Sequence, residues 1–332
     1  MLKKTVLVLF AVLMGGVLAD AHEEEFKLIN HLRYYKTMYD AHEADELMRI
    51  PYGLKPENVG GEDQDSKKEC QGVPMAFRPT ENSDEVWILD SINRGLKLFK
   101  SGKLLKHIKI KQEMGFISDF AFNKKGKIAL LNQNVGNVYI INDNGNLIKN
   151  ISGFQCANSL EFVSENTLLI DSPLSHGKVK LSIDGDLLGV YESDQTLSVY
   201  SSEKGVWGLD CYGGQVAKLF VRPNNGKTIK VIAEFPYKDY EDVEYKGGNI
   251  YGFDKDGNIY FGLVACNPEG IIYRDRIYKC NQNGKVLKEI DVLSKPFMSP
   301  NLPRHRVACP DGRVLTFHSF EDNYYLYTYS MK

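Results

Sequence analysis

The chain has 332 residues, 43% hydrophobic and 25% charged, with 41 Lys and Arg against 43 Asp and Glu for a formal net charge of −2. Such a composition belongs to a folded globular protein and excludes a disordered chain, a collagen-like repeat and a multi-span membrane protein. A near-neutral balance without a basic block gives no electrostatic support for a phosphate-reading surface, so no nucleic-acid partner is expected.

At the N-terminus, Lys3 and Lys4 precede an uncharged apolar run from Thr5 to Ala19. That order and length match a secretory signal peptide and are short for a spanning helix. Residues 1–19 are therefore read as a signal peptide, with cleavage before Asp20 or before His22 and an uncleaved anchor as the alternative. The expected product is secreted or periplasmic, with no stable membrane span after signal removal. A cut before Asp20 would expose Asp20, Ala21 and His22. A free amine, two backbone nitrogens and an imidazole make a square-planar set for Cu(II) or Ni(II), so these three residues are a candidate metal site. Nothing else in the sequence requires a cofactor.

Residues 20–71 read as an N-terminal arm, a closing strand and a linker. Asp40 to Arg49 is compatible with a short helix. Leu47-Met-Arg-Ile-Pro-Tyr52 is the best strand candidate and Phe26-Lys-Leu-Ile29 its rival. Residues 53–71, with Gly53, Gly60 and Gly61 among charged residues, read as a loop.

From residue 72 onward two phrases recur. One is a glycine followed by a short apolar strand: Gly102-Lys-Leu-Leu-Lys-His-Ile108, Gly145-Asn-Leu-Ile-Lys-Asn-Ile151, Gly185-Asp-Leu-Leu-Gly-Val-Tyr191, Gly226-Lys-Thr-Ile-Lys-Val-Ile232 and Gly284-Lys-Val-Leu-Lys-Glu-Ile290. The glycines lie 43, 40, 41 and 58 residues apart, and each closes a polar turn where a positive φ is needed. The other phrase is a run such as Val86-Trp-Ile-Leu-Asp90, Ile128-Ala-Leu-Leu-Asn132, Thr167-Leu-Leu-Ile-Asp171, Val206-Trp-Gly-Leu-Asp210, Ile259-Tyr-Phe-Gly-Leu263 or Val314-Leu-Thr-Phe-His318. Runs of this length and composition suit strands covered on both faces. Together the phrases define four antiparallel strands in about forty residues, the size of a propeller blade. The expected fold is all-β, a six-bladed β-propeller over residues 72–332. The last blade lacks its outer strand, so a strand from the N-terminal region should complete it. Glu234 to Gly248 should lengthen the entry to blade five, Cys266 to Arg274 should enlarge a loop within it, and residues 291–303 form an irregular, proline-bearing link into blade six.

There are six cysteines, Cys70, Cys156, Cys211, Cys266, Cys280 and Cys309, with no Cys-x-x-Cys spacing. Zinc ribbons, thioredoxin-like pairs and c-type haem attachment are thus unsupported. In an oxidising compartment some pairs are expected to staple loops, with buried free thiols as the alternative.

The run Gly72-Val-Pro-Met-Ala-Phe-Arg78, followed by Glu85-Val-Trp-Ile-Leu-Asp-Ser-Ile-Asn-Arg-Gly-Leu-Lys-Leu-Phe99, resembles a blade of the NHL-repeat class of six-bladed propellers. Later blades depart from the pattern, with Asn132, Leu263 and His318 in place of the strand-ending Asp. The resemblance implies the propeller fold and a choice among binding scaffolds, lactone hydrolases of the gluconolactonase type and lyases.

Asp90, Asn132, Asp171, Asp210 and His318 end the equivalent strand in five blades and should gather near one face. Their oxygens and imidazole could ligate a metal, but a carboxylate or amide at a strand end more simply caps the next turn. The innermost strands should begin near Pro74, Asp119, Ser159, Leu197, Ile250 and His305. Asp119 is the lone carboxylate of that set, which weakens a metallo-hydrolase reading. His305 and His318, flanked by Arg304 and Arg306, are candidates for acid–base work and for binding an anion at the channel mouth. Exposed loop charge and one packed imidazole is the simpler account. No Gly-x-Ser-x-Gly, phosphate loop or dinucleotide fingerprint occurs, and His42-Glu43 lacks the second histidine of a zincin. The reading is an exported, non-catalytic binding or assembly scaffold for a protein or glycan partner. Its alternative is a hydrolase or lyase at the central channel using His305, His318 and Asp119, with Arg304 and Arg306 holding ligand.

Overall fold

The structure is a computed structural model that describes residues 44–61, 74, 76–172, 177–192, 197–202, 205–211, 214–223, 228–238, 243–268, 272–292, 306–319 and 323–332. Six four-stranded antiparallel sheets make up the molecule. Blade one holds β2 (Ala76–Pro79), β3 (Glu85–Asp90), β4 (Gly95–Lys100) and β5 (Lys103–Lys109). Blade two holds β6 (Asp119–Phe122), β7 (Ile128–Asn132), β8 (Asn137–Ile141) and β9 (Leu147–Ser152). Blade three is β10 (Ser159–Ser164), β11 (Thr167–Ser172), β12 (Gly177–Ser182) and β13 (Leu187–Glu192). Blade four is β14 (Leu197–Ser202), β15 (Gly205–Asp210), β16 (Val216–Pro223) and β17 (Lys230–Pro236). Blade five is β18 (Glu244–Phe253), β19 (Ile259–Cys266), β20 (Ile272–Cys280) and β21 (Val286–Asp291). Blade six joins β22 (Arg306–Ala308), β23 (Arg313–Ser319) and β24 (Asn323–Ser330) to β1 (Asp45–Pro51). Among the described residues no helix is long and apolar enough to cross a membrane.

The second strand of each blade shows why the ring forms. In β3, Val86 and Ile88 pack toward blade six with Met48, Ile50, Phe317 and Tyr324. The alternate residues Trp87 and Leu89 pack toward blade two with Phe120, Leu130 and Ile141. A strand with apolar residues on both faces needs a neighbour on each side, and a closed ring supplies one to every blade. The same division recurs in β19, where Phe261 and Leu263 meet blade four and Tyr260 meets blade six.

The ring closes with an N-terminal strand, as the missing outer strand required. β1 pairs antiparallel with β24, setting Asp45 opposite Thr328 and Pro51 opposite Asn323. Helix-compatible composition over Asp40 to Arg49 does not prevail in its described part, because Met48 and Ile50 gain a buried face and the backbone gains a ladder. The rival strand Phe26–Ile29 lies outside the described residues.

Blade five corrects a second expectation. Part of each insertion extends the sheet. β18 runs ten residues, and Glu244 to Gly248 pair with Leu263 to Cys266. On its other side β19 continues to pair with β20 up to Cys266 opposite Ile272. Ile250, expected at the start of the inner strand, thus sits well inside it.

The repeated glycine does two things. Gly102, Gly145, Gly185 and Gly284 have φ of +75°, +82°, +98° and +81°, as the turn demands. A Cβ on Gly102, Gly145 or Gly284 would also come within 3.0, 2.6 or 2.6 Å of the carbonyl oxygen of Arg49, Lys109 or Ile232. Those carbonyls belong to the outer strand of the preceding blade, so the turn glycine is an inter-blade contact, and Gly102 makes it with the closing strand.

Gly126, at φ +79° with nothing within 4 Å of its Cβ position, isolates the conformational part of this effect. Gly126→Ala should lose about 1–2 kcal/mol, the ordinary cost of a left-handed alanine. Gly145→Ala should lose on the order of 3 kcal/mol, because the neighbouring blade must also move. Urea denaturation midpoints of the two variants measure the difference, and equal losses would show that turn conformation alone selects the glycine.

Candidate functional site

The inner strand of a blade begins, and the second strand ends, on the same face of the disc, here called the upper face. Each inner strand has one edge paired and one turned toward the axis. Unpaired amides and carbonyls on that edge need partners. Arg78, on the inner strand of blade one, reaches across two blades to supply them. Its Nε donates to the Phe120 carbonyl, Nη2 donates to the Leu160 carbonyl at 2.9 Å, and Nη1 meets Glu161 Oε1 at 3.2 Å. Asp119 completes the stitch. Its Oδ2 accepts the Leu160 amide at 2.9 Å and stands 3.7 Å from the Arg78 guanidinium, with the side chain wholly buried. The candidate acid is therefore engaged in joining blades one, two and three.

Asp90 has an analogous part on the upper face. Its carboxylate accepts Asn93 N and Gly60 N at 3.0 Å each and pairs with Lys97 Nζ at 2.8 Å, both side chains being fully buried. Lys97 also donates to the Asn58 carbonyl, and Asn93 Nδ2 donates to the Gly53 carbonyl. Residues 53–61, which follow the closing strand, are in this way strapped to blade one. Gly60 is needed there, since a Cβ would meet Ile92 Cβ at 2.4 Å and Asp90 Oδ1 at 2.9 Å. Asn132 caps its own turn, accepting Asn134 N at 3.1 Å and Val135 N at 3.3 Å while donating to the Met114 carbonyl. For Asp90 and Asn132 the turn-capping account holds. Among the described residues no cluster of His, Cys, Asp or Glu is arranged to hold a metal ion.

Arg306, expected to bind ligand, is buried between blades five and six. Both terminal nitrogens are held by Asp275, at 2.7 and 2.6 Å, and Nη1 also donates to Tyr251 Oη at 3.0 Å. Burial pushes the Tyr251 phenol up to about 12. The absence of a side chain at Gly262 makes room for that phenol, since a Cβ there would lie 1.8 Å from its oxygen. On β20, the strand of Asp275, Arg274 and Arg276 face Asp291, and Arg276 makes a two-point contact with it at 2.6 and 2.8 Å. This network was missed from the sequence, although the alternation Arg274-Asp275-Arg276 within a strand was a legible signal.

Five cysteines are free thiols: Cys211, Cys266, Cys280 and Cys309 are buried and Cys156 is exposed. Staples among these five are not formed. Burial raises the thiols of Cys211 to about 11 and of Cys280 and Cys309 to about 12, which leaves them protonated and unreactive. Cys70, Arg304, His305 and the trio Asp20, Ala21 and His22 lie outside the described residues, as does the side chain of His318.

Two outcomes test the blade-one latch. Lys97→Met leaves the Asp90 charge buried without its partner and should cost about 3–5 kcal/mol, read as a lower urea midpoint. His107, opposite Lys97 on the outer strand, packs its Nε2 against Gly95. Burial, then Lys97 and Lys109, lower its pKa from the usual 6.5. Between that lowered value and 6.5 the unfolded chain binds more protons, so stability should fall as pH drops through this window and level off below it. His107→Phe should flatten the pH dependence of the midpoint between about pH 7.5 and pH 5, and an unchanged slope would place the titration elsewhere.

No protein-family model matches the sequence, and no curated protein matches it. Among solved structures, the chain is similar to a member of the duf4221 family from Bacteroides vulgatus, with a TM-score of 0.56 and 11% identity over 87% of this chain and 98% of that one. It is also similar to the β-propeller domain of Myceliophteria thermophila Cps50 (Swd1), with a TM-score of 0.51 and 8% identity over 78% and 97% of the two chains. Virginiamycin B lyase from Staphylococcus aureus matches with a TM-score of 0.46 and 12% identity over 84% and 94%. At such identities the likeness is one of fold: this chain is a six-bladed β-propeller.

Proposed function

We propose that the chain is an exported, non-catalytic recognition or assembly scaffold whose upper-face loops engage a protein or a glycan. The observation that carries this reading is that three polar groups of the inner strands, Asp119, Arg78 and Arg306, are committed to contacts within the frame. Asp119 serves the Leu160 amide, Arg78 serves two strand edges, and Arg306 is locked to Asp275. General acid–base work needs a group in reach of substrate with a proton to exchange, and these groups are turned into the frame. A frame so tied presents its loops preorganised, which lowers the ordering cost of binding. The strap contributes Leu54, which is 89% exposed, the most exposed large apolar side chain among the described residues. A solvent-facing leucine on a strap fixed to Asp90 and Lys97 suits a contact residue. The NHL-type character of blade one and export through residues 1–19 belong to the same reading.

A photo-crosslinking residue placed at Leu54 tests it in the cells that produce the protein, with Leu105 on the outer strand of blade one as the comparison site. The expected result is a discrete adduct from Leu54 that is absent from Leu105, together with no turnover of lactones or sugar esters by purified protein. Turnover that disappears in His305→Ala would overturn the scaffold in favour of a channel hydrolase or lyase.

A further inference from the structure

Among the described residues nothing pairs with the outer edge of any blade's outermost strand, and such edges invite pairing with another chain unless something blocks it. Lysine, arginine and proline are the usual blocks. β5 carries Lys103, Lys106 and Lys109, β9 carries Lys149, β17 carries Lys230 and Pro236, β21 carries Lys288, and β1 carries Arg49 and Pro51. β13, Leu187-Leu-Gly-Val-Tyr-Glu192, carries none of these. It also exposes three large apolar side chains within four residues: Leu187 at 64%, Leu188 at 53% and Val190 at 47%.

We infer that β13 is a self-association edge, on which a second copy of this chain pairs antiparallel about a twofold axis through Gly189. The apolar part of the strand is self-complementary in that register, and the one like-charge pairing, Asp186 opposite Glu192, falls at its two ends. Gly189 meets Gly189 of the other copy at the axis, and a Cβ position there has nothing within 4 Å. Leu188, the extra residue of the bulge that β13 makes against β12, stands opposite Val190 in both directions, which brings four exposed apolar side chains to the junction. Asp186, at the end of the pairing, is held back into its own turn by Ser182, whose hydroxyl accepts the Asp186 amide at 3.0 Å and donates to Oδ2 at 3.1 Å. The result is a continuous eight-stranded sheet through two third blades, with main-chain hydrogen bonds supplying the affinity. A six-residue edge is a small interface, so the dimer depends on protein concentration.

Sedimentation velocity over a concentration series tests this on the purified protein. Wild type should pass from monomer to dimer as concentration rises. Leu188→Lys, which restores the missing guard, should abolish the dimer while keeping the wild-type circular dichroism and melting temperature. Ile148→Lys, on the neighbouring outer strand β9, should leave the dimer intact. Wild type that stays monomeric throughout would overturn the inference. So would a dimer that survives Leu188→Lys, one lost equally in Ile148→Lys, or growth into higher polymers, which a twofold contact cannot produce.

Discussion

The constraint on which the molecule depends is that its sheets have two apolar faces. A single blade cannot bury Val86 and Ile88 on one side and Trp87 and Leu89 on the other without neighbours, and each neighbour has the same need. A linear array would leave the end blades with open faces. Closing the array leaves none, provided the first and last blades are held together. That junction is the one place where chain connectivity between consecutive blades does not help. The closing strand solves the problem covalently, since β1 adds to blade six while its continuation is strapped to blade one.

The strap explains why a lysine and an aspartate are buried where propeller logic needs only a turn cap. Asp90 collects an amide from its own turn and an amide from Gly60, and Lys97 spans from that carboxylate to the Asn58 carbonyl. Burying an ion pair rarely adds net stability compared with an apolar pair, because desolvation offsets most of the attraction. What it does contribute is selectivity: a strap docked in any other position costs Asp90 the Gly60 amide and Lys97 the Asn58 carbonyl. Arg78 and Asp119 act in the same manner at the axis, and Arg306 with Asp275 between blades five and six. Polar groups in this protein fix registry between elements that hydrophobic contact alone would let slide.

The architecture was legible because it is repeated. Glycines spaced about forty residues apart and a strand run before each turn gave blade number and strand order, and the lack of a final outer strand pointed to residues 47–52. The close approach of those glycines to the preceding blade was not legible, since it depends on the twist that brings an outer strand beside the next turn. The site was read less well. Asp119 was placed correctly at the start of an inner strand, but its partner Leu160 N lies 41 residues away on the next blade, and no local pattern reports such a pairing. Arg306 read as an anion binder because its counter-charge, Asp275, sits in a different blade. The Cys266 to Arg274 insertion read as loop because length alone does not distinguish loop from longer strands, whereas the alternation Arg274-Asp275-Arg276 did carry a strand signal.

Departures from the repeat are where individuality enters. Five outer strands keep a positive charge or a proline on the free edge, and one does not. Blade five lengthens three of its strands to ten, eight and nine residues, with a charged and aromatic extension. A repeat constrained by packing tolerates change only where the change leaves both faces of each blade covered. Edges, upper turns and strand extensions meet that condition, and the second strands do not. Change is therefore free at the rim and the upper face while the interior stays periodic. This is why the interior reveals the fold, and the exceptions mark where packing leaves the sequence unconstrained.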